Sequence, residues 1–132
     1  MFLLDSHIYL WFVDDDKKLP QKLKNIIENS DDVYVSIITF WELTIKSGLG
    51  KLSLPCEPSK MITDCDKLHI RILDILPHHL DILRTLEPIH RDPFDRMIIS
   101  QAMAEDLTLI TADEKILMYD CVKTLSEQGG SQ

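Results

Sequence analysis

Short apolar runs alternate with amphipathic stretches along this chain, and that alternation predicts βα units around a largely parallel sheet. Phe2–Leu4 is expected to be a short buried strand that passes at once into a helix reaching Trp11. Leu19, Leu23, Ile26 and Ile27 recur on one helical face, which predicts a second helix over 19–29. Val33–Ser36 follows as the second strand, and residues 39–47 as a third helix stopped by the breakers Gly48 and Gly50. Residues 51–58 carry two prolines and are expected to form a loop, with a helix over 59–67 and a strand over 70–75 after it. Pro77 suits a helix start, so residues 79–86 are expected to be helical before Pro88. The clearest helix spans 93–105, with strands at 107–111 and 121–125 beyond it. No repeat or linker divides the chain: one domain over 1–125 is expected, with residues 126–132, polar and Gly-rich, as a disordered tail.

A chain of 132 residues at 45% hydrophobic and 27% charged can bury a core without staples. Its longest apolar run, 8–13, is far short of the ~20 residues a membrane helix needs, and MFLLDSH has no basic residue ahead of its apolar stretch. A cytoplasmic protein without membrane contact is the expectation. Cys56, Cys65 and Cys121 are odd in number with no CxxC pair, so they are read as reduced thiols. Zinc is disfavoured as well, since only His78 and His79 are adjacent and neighbouring helical positions point apart. The net charge of −8 argues against coating nucleic acid by bulk electrostatics. It leaves room for a nucleic-acid enzyme whose acids are gathered around a cation.

Four acids fall where such a gathering is possible. In open α/β sheets ligands bind outside the carboxyl ends of the strands. Asp5 directly follows the first strand, and Asp113 comes two residues after Thr111 at the end of another. Asp92 is a natural N-cap with Pro93 at the first helical position, which puts Asp95 at the third, a helix end that favours acids. Glu42 has apolar Ile38 and Ile45 at i−4 and i+3, so it is placed near a buried face with no evident Arg or Lys on its stripe. Like charges ~4 Å apart at an effective dielectric of ~20 repel by roughly 4 kcal/mol. Converging carboxylates therefore call for protonation or a metal, and hard oxygen ligands favour Mg²⁺ or Mn²⁺, which can activate water for phosphodiester hydrolysis.

The motifs LLDSH–YLW, S–TFWE–IK–GKL, H–DPFDRMIISQA and LTLITAD, in this order over about residues 2–120, resemble the PIN-domain nucleases, and most closely the VapC toxins of type II toxin–antitoxin systems. The resemblance implies a three-layer α/β/α sandwich with a central, mainly parallel sheet and a Mg²⁺- or Mn²⁺-dependent endoribonuclease acting on RNA. It also implies a homodimer held inactive by an antitoxin protein. The family's acids fall on Asp5, Glu42, Asp95 and Asp113, and Thr111 matches the hydroxyl that helps order the site. Arg96 is expected to steady the carboxylates in preference to touching an RNA phosphate. Lys46 and Lys51 are expected to be solvated, Trp11 and Trp41 to be core residues, and His7 and His90 to stay clear of the chemistry. A catalytically inactive PIN fold that binds protein is the alternative. A receiver domain is disfavoured because Ser6 and His7, not an acid, follow Asp5, and a haloacid-dehalogenase-like phosphatase because His7 stands where its second aspartate would be.

Overall fold

The computed structural model describes residues 1–126 and 129–130. The chain runs β1 (Phe2–Leu4), α1 (Ser6–Val13), α2 (Gln21–Asn29), β2 (Val33–Ser36), α3 (Ile37–Gly48), α4 (Pro58–Lys67), β3 (Ile70–Leu73), α5 (Pro77–Thr85), α6 (Pro93–Ala104), β4 (Thr108–Ile110), α7 (Glu114–Leu117), β5 (Thr124–Ser126) and β6 (Gly129–Gly130). The expected tail falls largely on residues outside those described. Of its members, Ser126 closes β5, and Gly129–Gly130 pairs with that strand in antiparallel fashion. Among the described residues no helix is long and apolar enough to cross a membrane.

The strands lie in the order β3-β2-β1-β4-β5-β6, and every pairing except the last is parallel. Parallel strands need their crossovers on the sheet's faces, and successive strand residues point to opposite faces, so both faces must be apolar. On one side Leu4, Val33, Val35 and Ile110 meet Ile8 and Tyr9 of α1, Leu23 and Ile27 of α2, Phe40 and Leu43 of α3, and Met61 of α4. On the other, Leu3 and Leu109 meet Ile98, Ile99 and Ala102 of α6, Ile116 of α7 and Leu86 beyond α5. The result is the three-layer α/β/α sandwich with a central, mainly parallel sheet.

Two features of this architecture place the site. Leu4 is in register with Val35 on one side and Ile110 on the other, so β1 and β4 end flush and β2 runs one residue further. From β1 the chain builds outward through β2 to β3, then returns to lay β4 on β1's opposite side. The connections therefore diverge at the carboxyl ends of β1 and β4, the position where open α/β sheets leave a crevice. At the far end of α3, Gly50 takes φ +74°, a left-handed conformation that glycine adopts without strain, and the helix stops there.

Candidate active site

Each of the four acids is held by a local device. Asp5 caps α1, its Oδ1 accepting from the Ile8 N–H at 2.8 Å, while its Oδ2 accepts from the Thr111 hydroxyl at the end of β4. Thr111 Oγ1 in turn accepts from the Asp113 N–H at 3.0 Å, so one buried hydroxyl ties the ends of β1 and β4 together. Asp113 caps α7 through its Oδ1, which accepts from Lys115 and Ile116 N–H groups and leaves Oδ2 turned elsewhere. Asp92 caps α6 as expected, accepting from Phe94 and Asp95 N–H, and that sets Asp95 in the helix's first turn.

His90 joins two of these acids, contrary to expectation. Its Nε2 lies 3.0 Å from Asp95 Oδ2 and 3.2 Å from Asp113 Oδ2. The Asp92 N–H donates to His90 Nδ1 at 3.2 Å, which assigns the ring proton of the neutral imidazole to Nε2 and makes that atom the donor to Asp113, with Asp95 Oδ2 close beside it. The ligand atoms of His90, Asp95 and Asp113 all lie within 4.8 Å of one another. The sequence signal for it is its position two residues ahead of Asp92, which opens DPFDR.

Burial pushes Asp95 up to about 8, with Asp92, Glu42, Asp113 and Asp5 adding like-charge repulsion. Burial likewise raises Asp5 to about 6 against the lowering effect of Thr111 and Ile8. Burial also acts upward on Asp113, but the His90 hydrogen bond and two backbone N–H groups outweigh it and leave the carboxyl below its ordinary value. Asp95 and Asp113 share one cluster with His90, and Asp5 and Glu42 lie near enough to raise Asp95 further, an arrangement of oxygen ligands that suits a hard cation.

The sequence profile of the PIN domain family matches residues 2–120. The chain belongs to the PIN-domain family. Among curated proteins this PIN domain is 25% identical over 115 residues to Ribonuclease VapC22 of Mycobacterium tuberculosis (strain ATCC 25618 / H37Rv), spanning 86% of the chain and 88% of that protein. Among solved structures it resembles VapBC2 from Rickettsia felis bound to a promoter DNA fragment, with TM-score 0.69, 19% identity, and coverage of 95% of this chain and 97% of that one. DNA-bound VapBC from Salmonella typhimurium is similar at TM-score 0.68 and 16% identity, covering 95% and 96%. Likeness at these identities is a likeness of fold.

Three expectations about the PIN domain's polar residues need correction. Glu42 is buried near an apolar face as read, but it is not without a cation: Lys46, one turn on, places Nζ 2.7 Å from its Oε2. The Ser6 hydroxyl, itself in contact with Thr39, donates to Glu42 Oε1 at 2.8 Å. Trp41 is 57% exposed and packs edge-on against Phe94 at 5.3 Å instead of entering the core. Among the described residues Arg96 reaches no carboxylate. It donates to the carbonyls of Leu86, Glu87 and His90, so it orders the 86–92 segment that carries His90. Tyr119 braces the same segment, accepting from the His90 N–H at 2.8 Å and donating to Glu87 O at 2.7 Å. Arg96→Ala is expected to cost about 1–3 kcal/mol in urea unfolding, with Arg96→Lys recovering little because one ammonium cannot span three carbonyls. An unchanged midpoint in Arg96→Ala would remove this account.

His78 and His79 also behave differently from expectation, since both bring Nε2 to 2.8 Å from Glu105 Oε2. The Leu76 N–H donates to His79 Nδ1 at 3.0 Å, so Nε2 carries the proton given to Glu105. A ring held in that tautomer has no lone pair to offer zinc, and the cluster is a structural tie between α5 and the end of α6.

Proposed function

We propose that this PIN domain is an endoribonuclease that depends on Mg²⁺ or Mn²⁺ and serves as the toxin of a toxin–antitoxin pair. The observation that carries the proposal is Asp95. Burial and four neighbouring acids raise its pKa to about 8, an environment that a divalent cation relieves and that a helix-end acid alone does not need. Asp5, Glu42, Asp95 and Asp113 would hold the ion. Bound there, it would supply an activated water and offset charge on the phosphoryl oxygens. Thr111 and the α1 N-terminus keep Asp5 oriented, the α7 N-terminus orients Asp113, and Ser6 and Lys46 hold Glu42. The His90 N–H is aimed at the point between Asp95 and Asp113, where it can donate to a carboxylate or to a phosphoryl oxygen brought there.

RNA is favoured as substrate by the name of the curated relative, and an antitoxin partner by the VapBC complexes among the structural relatives. A homodimer is in keeping with the exposed apolar stripe of Trp41 and Ile45 on α3 and Leu49 at its C-cap. The test is incubation of single-stranded RNA with the purified protein. Cleavage is expected with Mn²⁺ or Mg²⁺ and is expected to stop with EDTA or in Asp5→Ala. Cleavage that persists in Asp5→Ala, or in chelator, overturns the proposal. Antitoxin binding without any cleavage would make the chain an inactive, protein-binding PIN fold.

A further inference from the structure

We propose that the cavity at the divergence of β1 and β4 is a subsite for one unpaired nucleobase, with Trp11 and His7 as its recognition walls. The inference rests on the ribonuclease proposal and names what part of the RNA the site selects.

The cavity measures about 240 Å³ and is lined by Asp5, His7, Trp11, Ala112 and Asp113. It follows from the topology: α1 leaves the end of β1, the 111–113 segment leaves the end of β4, and these adjacent parallel strands release their chains side by side. His7 and Trp11 are four residues apart on α1 and therefore share one face of it. Their ring centroids are 6.1 Å apart with planes inclined at 36°. Trp11 is half-buried and packs against the core beneath α1, so its indole is a rigid wall, whereas His7 is exposed and presents ring nitrogens to solvent. Ala112, small and exposed, leaves the mouth open.

The lining selects among ligands. Asp5 and Asp113 mark the side of the cavity that borders the acid cluster, where a phosphate would be engaged. Two aromatic rings on the other side favour a flat π-system. A nucleobase is such a group, and it is joined by one ribose to the phosphate that the acid cluster would engage. The cavity admits one ring system, not a base pair, so the RNA must be single-stranded here. Stacking on Trp11 accepts any base, since every base has a π-face. The His7 ring edge is the element that prefers one base over another.

The test uses fluorescence anisotropy of single-stranded RNA oligonucleotides, each with one abasic ribose, on full-length protein carrying Asp95→Asn so that the RNA stays intact. One abasic position is expected to weaken binding about tenfold, the scale of a lost base–aromatic stack. Trp11→Leu, which keeps apolar volume under α1, is expected to weaken intact RNA by a similar factor and to erase the penalty at that position. His7→Ala, at an exposed site, is expected to keep the melting temperature and to flatten the base preference there. An abasic penalty that survives in both variants, or no sensitive position at all, overturns the subsite. Should Trp11→Leu fail to fold, His7→Ala decides. Cleavage of RNA by the parent protein with a pattern indifferent to both variants defeats the subsite alone. Position-dependent binding that needs Trp11, in a protein that cuts no RNA, defeats the ribonuclease proposal alone.

Discussion

Asp95→Asn is expected to abolish RNA cleavage while making the metal-free protein more stable. The activity loss is expected to be about 10³-fold or more, since removing one charged ligand from a preorganised phosphoryl-transfer site withdraws stabilisation made in the transition state. The stability gain follows from the raised pKa. A carboxyl whose folded-state pKa of about 8 lies above its unfolded value favours folding while protonated. That contribution is complete near pH 4 and is lost as pH rises to about 8. Asp5, raised to about 6, loses stability in the same direction over the lower part of that window. Asp113, lowered, acts oppositely, but only as pH falls below the ordinary carboxylate range. In EDTA the parent protein should therefore weaken from pH 5 to pH 8, and Asp95→Asn should weaken far less. At pH 8 the variant is expected to be the more stable by about 2 kcal/mol, a figure reduced from the full shift because Asp95 retains some solvent contact. Urea titrations at the two pH values check it. A variant no more stable than the parent at pH 8 would show that Asp95 is not held against its electrostatic preference.

Most of the scaffold was legible because its signals are local. Strands β1 and β2 are short apolar runs between polar breaks, and the Asp92-Pro93 start of α6 states its own boundary. α3 begins two residues earlier than expected because Ser36 accepts from the Ile38 N–H and caps it directly at the end of β2, with no intervening turn residues to mark the start. Trp41 was misplaced for a related reason. Periodicity marks an apolar stripe, but Ile38, Phe40 and Leu43 already fill the buried side, which leaves Trp41 and Ile45 outside.

The acids show a different limit. All four stand out as candidates in the sequence, but the surroundings of Glu42 and Asp95 differ from what their local patterns suggest. Glu42 has apolar neighbours at i−4 and i+3, yet Lys46 at i+4 pairs with it, and an i,i+4 pair is the most local ionic signal a helix has. Asp95 seemed explained by its helix end. Its raised pKa comes first from burial, which exists only once the sheet is assembled, then from Asp92 three residues before it, and then from Glu42, Asp113 and Asp5, which lie far away in the chain. His90 was invisible for the same reason: its direction is set by the Asp92 N–H in an irregular segment whose path Arg96 and Tyr119 determine.

Divalent metal is expected to invert the pH dependence of stability. Ligating carboxylates must be deprotonated, so protons and metal compete for Asp95 and Asp5. At pH 5 both are largely protonated in the folded protein, and Mn²⁺ should bind weakly. At pH 8 the same carboxylates repel one another, and an ion that binds only the folded state gains most. At a free Mn²⁺ concentration of about 100 Kd the linkage amounts to about 2.7 kcal/mol, rising to about 4 kcal/mol at 1,000 Kd. For a domain of 132 residues this corresponds to a rise of roughly 10 °C in Tm at pH 8, against a degree or two at pH 5. EDTA should restore the original curve, and Asp95→Asn should respond to Mn²⁺ far less at either pH. Thermal scans across pH, with and without Mn²⁺, read this directly. Equal shifts at pH 5 and pH 8 would mean that the ion binds elsewhere than at these carboxylates. No shift at pH 8 would mean that the raised pKa of Asp95 serves something other than a cation.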